Sequence, residues 1–112
     1  ETNTFYAKGG MAAVIGVEDS FSQHVRDTLE VGCGLSEPEV VETVVRGGPS
    51  AVERLLAIGT RFDRDATGEL QLSREGGHSR ARIIHAHGDA TGTEMQRALA
   101  ASVRSHPNVT VF

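Results

Sequence analysis

Leu35-Ser36-Glu37-Pro38-Glu39-Val40-Val41-Glu42-Thr43-Val44-Val45-Arg46-Gly47-Gly48-Pro49-Ser50-Ala51-Val52-Glu53-Arg54-Leu55-Leu56-Ala57-Ile58-Gly59 sets the class of this fold. Ser36 and Glu39 stand three apart, the spacing of a capping box, in which two side chains satisfy amide groups that a helix start leaves unpaired. Pro38 falls in the first turn, where its missing N–H costs little. Leu35 and Val40 hold the two positions of a hydrophobic staple. Val40, Val41, Val44 and Val45 recur at helical spacing and mark a face to bury. Gly47 and Gly48 read as a stop. Pro49, Ser50 and Glu53 then read as a new start, with Val52, Leu55 and Leu56 apolar and Gly59 as terminator. Two short helices are predicted here.

Upstream, Ser20 and Gln23 form another capping box. It opens a helix to about Val31, with Phe21, Val25, Thr28 and Leu29 on one face and Gly32 and Gly34 as the stop. The run Met11-Ala12-Ala13-Val14-Ile15 suits a buried strand or a buried helical segment, and periodicity does not choose between them. Downstream, Leu70 and Leu72 alternate with polar residues as in a short strand. Ile83 and Ile84 return to a core. Thr91 and Glu94 open a last helix with Met95, Ala98, Leu99 and Val103 inward, and Val109 to Phe112 reads as the start of a strand. The class is α+β and mostly helical, without repeats or low-complexity tracts.

Hydrophobic residues make up 38 % of the 112 and charged residues 23 %, an ordinary globular balance. Aromatic residues are only 4 % and Trp is absent, so the core rests on Val, Leu, Ile and Ala. A net charge of -4 argues against a general nucleic-acid surface. Cys33 is the only cysteine, so no intrachain disulfide forms and no oxidising compartment is required. No apolar run approaches the roughly 20 residues of a membrane span, and no signal peptide is visible. A cytoplasmic location without membrane partners is expected. The chain opens on Glu1 rather than Met and closes on Phe112 straight after an apolar run. It reads as a stretch cut from something longer.

Three constellations carry chemistry. In Thr4-Phe5-Tyr6-Ala7-Lys8-Gly9-Gly10 two glycines let a backbone approach a flat or anionic ligand, although a Gly-Gly pair alone is more often a turn. In Arg74-Glu75-Gly76-Gly77-His78-Ser79 a cation, a carboxylate and an imidazole share a loop, a pattern that is also common in solvated loops. His85-Ala86-His87 with Asp89 has the residue types of a zinc site, with His78 or Cys33 to complete it, but not the spacing of established zinc motifs. No metal is expected. Arg80 and Arg82 read as a solvated strand face, and Cys33 as a small buried residue.

Together these segments resemble one family, the succinate dehydrogenase and L-aspartate oxidase flavoproteins. The likeness is carried, in order, by residues 4–14, by Asp19-Ser20-Phe21 with His24-Val25-Arg26-Asp27-Thr28-Leu29, and by Phe62-Asp63-Arg64. It continues through residues 74–79, Arg82-Ile83-Ile84-His85-Ala86 and Asp89-Ala90-Thr91-Gly92. It covers nearly the whole chain. Two positions choose within the family. Asn3 stands where the respiratory members carry the His that bonds covalently to the flavin. Glu75 stands where L-aspartate oxidases carry a Glu for the substrate's ammonium group. A carboxylate there would repel succinate or fumarate and pair with aspartate. Lys8 replaces the family's usual Gln, and His87-Gly88 lengthens the segment before Asp89.

The resemblance implies that residues 1–112 are an internal part of a Rossmann-like FAD-binding domain, without its first βαβ unit and its Gly-x-Gly-x-x-Gly turn. It implies non-covalent FAD lined by Asn3, Thr4, Phe5, Tyr6, Ala7, Lys8, Gly9 and Gly10, and Glu75 as the residue that orients substrate. The intact enzyme would oxidise L-aspartate to iminoaspartate, with oxygen or fumarate as electron acceptor, and feed quinolinate and NAD synthesis. The 112 residues alone would be inactive. Two alternatives are a fumarate reductase or succinate dehydrogenase type of dicarboxylate oxidoreductase, and a non-catalytic stable helical fragment.

Overall fold

The computed structural model describes residues 2–112. A short 3-10 turn, Asn3–Tyr6, is followed by β1 (Met11–Ala12), α1 (Phe21–Val31), α2 (Pro38–Ala57), β2 (Ile83–Ile84) and α3 (Thr91–Ser105). The two strands pair antiparallel, Met11 with Ile84 and Ala12 with Ile83. The Met11 run therefore starts as a strand. The α+β, mostly helical class is observed.

The 35–59 stretch is one helix, not two. α2 runs through Gly47-Gly48-Pro49 without a break. Val45 and Val52, seven residues apart on either side of the expected stop, are both buried, and Gly48 lies against Ala13. Packing at these points outweighs the weak helix preference of Gly and Pro, and the Ser50 hydroxyl donates to the Gly47 carbonyl at 3.1 Å. The capping box at Ser36 is not made. Glu37 is the N-cap, without a side-chain bond, and the Ser36 side chain is turned against Gly32. The expected staple and buried face are also corrected in part. Leu35, Val40 and Val44 are largely exposed, Val41 is half-buried and Val45 is buried.

Ser20 does cap α1, accepting from the Gln23 N–H at 3.2 Å, but the buried residues of that helix are His24 and Asp27 rather than the apolar face. Thr91 does not cap α3. Ala90 is its N-cap, and the Thr91 hydroxyl accepts from the Ala86 N–H at 3.2 Å. Buried on α3 are Thr91, Gly92, Glu94 and Ala98, whereas Leu99 and Val103 are exposed. Leu70 takes part in a single bridge to Arg64 rather than a strand, and residues 109–112 form none.

The core is Ala13, Val52, Phe62, Ile84 and Ala86, with Met11, Leu55, Leu56, Leu70 and Leu72 around it. It sits where α2 and the 62–73 loop cover the strand pair. That pair fixes two neighbouring segments, 3–10 before β1 and 74–79 before β2.

Candidate functional site

The first of these segments is held by the start of α3. The Gly92 N–H donates to the Ala7 carbonyl at 2.9 Å, and the Thr93 hydroxyl donates to the Phe5 carbonyl at 2.8 Å. A Cβ at Gly92 would overlap the Thr4 carbonyl and stand 2.8 Å from the Ala7 Cβ, so close approach requires glycine there. The far side of the segment is open. Residues 2–9 are exposed, and a Cβ at Gly9 would meet nothing within 4 Å. Phe5 and Tyr6 pack edge to face with ring centres 5.3 Å apart. A backbone held by the start of α3 and left open at Gly9 gives a flat ligand such as a flavin ring system room to approach. Lys8 faces Asp89 at 3.7 Å, with both side chains more than three-quarters exposed.

Gly10 differs from Gly9. A Cβ there would lie 2.7 Å from the Ile84 carbonyl oxygen and 2.8 Å from the His85 Nε2. The His85 Nε2 thus lies beside the Gly10 backbone, and the same nitrogen bonds the Glu75 Oε1 at 2.8 Å. One imidazole bridges the two segments that the sequence marks. Glu75 is half exposed, with His85 as its partner. Arg74, its neighbour in the chain, forms no ion pair with it.

The 74–79 loop is tied down from the other side. Ser79 donates from both its N–H and its hydroxyl to the Asp27 Oδ2, each at 2.8 Å. The same oxygen accepts from the Arg82 Nη1 at 2.6 Å. Arg82 also bonds Asp19 in a fork, Nε to Oδ2 and Nη2 to Oδ1, each at 2.7 Å, and its Nη1 lies 3.2 Å from the His78 Nδ1. This corrects the reading of Arg82 as a solvated residue: it is fully buried. Burial favours the neutral form of Asp27, but the Ser79 amide, the Arg82 guanidinium and the Ser79 hydroxyl outweigh it and hold the carboxyl at about 2. Burial also works against the charged form of Asp19, yet Arg82 and the Ser20 N–H lower that carboxyl too. His24 is pushed down, first by burial and then by Arg82 and His78.

The remaining candidates separate. His85 and His87 face different carboxylates: His87 is mostly exposed and stands 3.6 Å from the Glu94 Oε2. Among the described residues no three potential metal ligands converge. The added His87-Gly88 is a tight turn with both residues at positive φ, 51° and 74°, its N–H groups donating to the Asp63 carboxylate at 2.8 and 2.9 Å. Cys33 is exposed, not buried, at φ 47°. Glu94 is buried and accepts from Arg97 and from the Arg61 N–H, which lower its carboxyl to about 2 against the opposing effect of burial.

All 112 residues match the FAD binding domain family. The chain belongs to that family. L-aspartate oxidase of Arabidopsis thaliana, a chloroplastic protein, is 46 % identical over 112 residues, 100 % of this chain and 17 % of that protein. The L-aspartate oxidase of Streptomyces coelicolor is 50 % identical over 103 residues, 92 % of this chain and 18 % of that one. That of Mesorhizobium japonicum is 46 % identical over 112 residues, 100 % and 22 %. Among solved structures, a quinol-fumarate reductase with menaquinol molecules superposes with a TM-score of 0.91 at 32 % identity, over 99 % of this chain and 19 % of that chain. An E. coli quinol fumarate reductase variant gives 0.89 at 32 % identity, over 96 % and 18 %. The chain thus spans about a fifth of the length of the curated relatives it matches. The 3–10 segment and Glu75 are legible in its sequence. The Asp19–Arg82–Asp27 clamp and the His85 bridge are not, because their members lie 10 to 63 positions apart and no local pattern links them.

Proposed function

We propose that the intact protein is an L-aspartate oxidase that turns L-aspartate into iminoaspartate with non-covalently bound FAD. The observation that carries the reading is Glu75, a half-exposed carboxylate fixed through one imidazole beside the 3–10 segment. A carboxylate in that place suits a substrate bearing an ammonium group and opposes one bearing only carboxylates. The named relatives at 46–50 % identity support the same choice. In this reading Asn3 to Gly10 line the flavin, Asn3 in place of a His leaves it unattached, and Glu75 holds the substrate ammonium. When bound, FAD accepts the hydride that leaves the substrate carbon. The protein's own groups supply orientation and charge. Residues 1–112 are then an internal part of a larger Rossmann-like FAD-binding domain. We place the protein in the cytoplasm, and oxygen or fumarate as acceptor and supply of quinolinate for NAD synthesis follow from the L-aspartate oxidase assignment alone.

A fumarate reductase type of enzyme is the second reading, favoured by the close superposition on quinol fumarate reductases. Glu75→Gln in the full-length protein separates the two. A charge-assisted hydrogen bond is worth about 1.5–3 kcal/mol, so kcat/KM for aspartate is expected to fall about tenfold to a hundredfold. Fumarate reduction is expected to fall much less. Equal losses for both substrates, or activity on succinate without activity on aspartate, refute the reading. Acid precipitation tests the attachment: yellow colour is expected in the supernatant and not with the denatured polypeptide.

A further inference from the structure

We infer that His85 is the positioning residue for Glu75 and thereby sets the preference for a substrate that carries an ammonium group. The inference rests on the reading of Glu75 given above and deepens it. Glu75 alone is poorly placed to be specific. Its loop contains Gly76 and Gly77, its side chain is half exposed, and a long exposed carboxylate samples many rotamers. Ordering it at each binding event costs affinity, and a partner that orders it beforehand removes that cost.

His85 is built to be that partner. It follows β2 directly, and the sheet bond of Ile84 with Met11 fixes its backbone on one side. Its carbonyl accepts from the Asp63 N–H at 2.8 Å, which fixes it on the other. The imidazole is mostly buried against Gly10, where any side chain would displace it. A carboxylate can only accept, so at 2.8 Å the His85 Nε2 carries the proton and donates to Oε1. Oε2 is thereby left as the free acceptor, aimed from a fixed pivot. A rigid donor behind a carboxylate on a glycine loop defines where a substrate cation sits. The absence of a side chain at Gly10 thus has a purpose beyond backbone access: it makes room for the ring that aims Glu75.

Steady-state kinetics and flavin absorbance of three full-length variants test this. His85→Leu removes the donor, His85→Gln keeps an N–H donor, and Glu75→Gln removes the charge. For His85→Leu the KM for aspartate is expected to rise about tenfold with kcat changed less, and fumarate reduction is expected to be largely retained. His85→Gln is expected to recover most of the loss. The double variant with Glu75→Gln is expected to be no worse than Glu75→Gln alone, because both act through one contact. Equal loss of aspartate and fumarate turnover in His85→Leu and His85→Gln, or loss of bound flavin in both, would mean that His85 only holds the fold, and would overturn the inference. A silent His85→Leu beside an impaired Glu75→Gln overturns it while leaving the Glu75 reading intact. A silent Glu75→Gln overturns both.

Discussion

Arg82 and Asp27 lie 55 positions apart and meet at 2.6 Å in the interior, where Asp27 also holds both polar atoms of Ser79. One carboxylate oxygen therefore joins α1, the strand entrance and the loop that carries Glu75. Asp19 closes the fork from the other side of the guanidinium, so neither acid nor base is left unpaired. A buried charge network of this kind adds little net stability over an apolar packing of equal volume. Its use here is geometric: it fixes the far end of the 74–79 loop while His85 fixes the near end.

Removing one member should be costly. Arg82→Met leaves two buried carboxylates without a cation, and breaking a buried pair in this way costs about 3–5 kcal/mol. Urea unfolding of the full-length protein is expected to show that loss, and limited proteolysis is expected to open the chain near residues 74–79. A change under about 1 kcal/mol would mean that the clamp is not formed.

Acid should expose the same network. Asp27 and Glu94 are both held at about 2 in the fold, well below the ordinary carboxylate range. The unfolded chain therefore binds more protons than the folded one between about pH 5 and pH 2. The stability that each of these carboxylates contributes is complete only above about pH 5 and is lost as the pH falls toward about 2, on the order of 3 kcal/mol for each shift of about two units. Unfolding followed at pH 5 and at pH 3 is expected to show that decline, and Glu94→Gln is expected to flatten part of it. A stability independent of pH over this window would contradict the assignment.

How much was legible in the sequence differs from residue to residue. Ser20, the returning pair Ile83 and Ile84, and the helical class were readable because each depends on neighbours a few positions away. The break expected at Gly47-Gly48-Pro49 was not observed, because burial of Val45 and Val52 spans it and local preference is the weaker force. Arg82 looked like a surface residue because nothing nearby in sequence marks Asp19 or Asp27 as its partners. Thr91 and Glu94 had capping-box spacing, yet both side chains turn inward to distant amides, of Ala86 and Arg61. In the site, the glycines and Glu75 stood out by residue type, whereas the imidazole that joins them was visible as half of a His-x-His pair and as a member of the 82–86 likeness, with no role attached to it.

The adjacent glycines give the last prediction, because they fail for different reasons. Gly9 is not in the left-handed region and has open space around its missing side chain, so Gly9→Val should leave the fold unchanged. Gly10 is crowded by Ile84 and His85, so even Gly10→Ala forces strand and imidazole to shift, a kind of overpacking that costs about 1–3 kcal/mol. If residues 3–10 lie on the flavin, Gly9→Val in the full-length protein is expected to strip FAD with little change in unfolding midpoint once the wild type is measured without flavin. Gly10→Ala is expected to lower that midpoint as well. Flavin absorbance after gel filtration and urea unfolding of the flavin-free proteins read the two effects separately. Full FAD occupancy in Gly9→Val would remove the open face of this segment from the cofactor site.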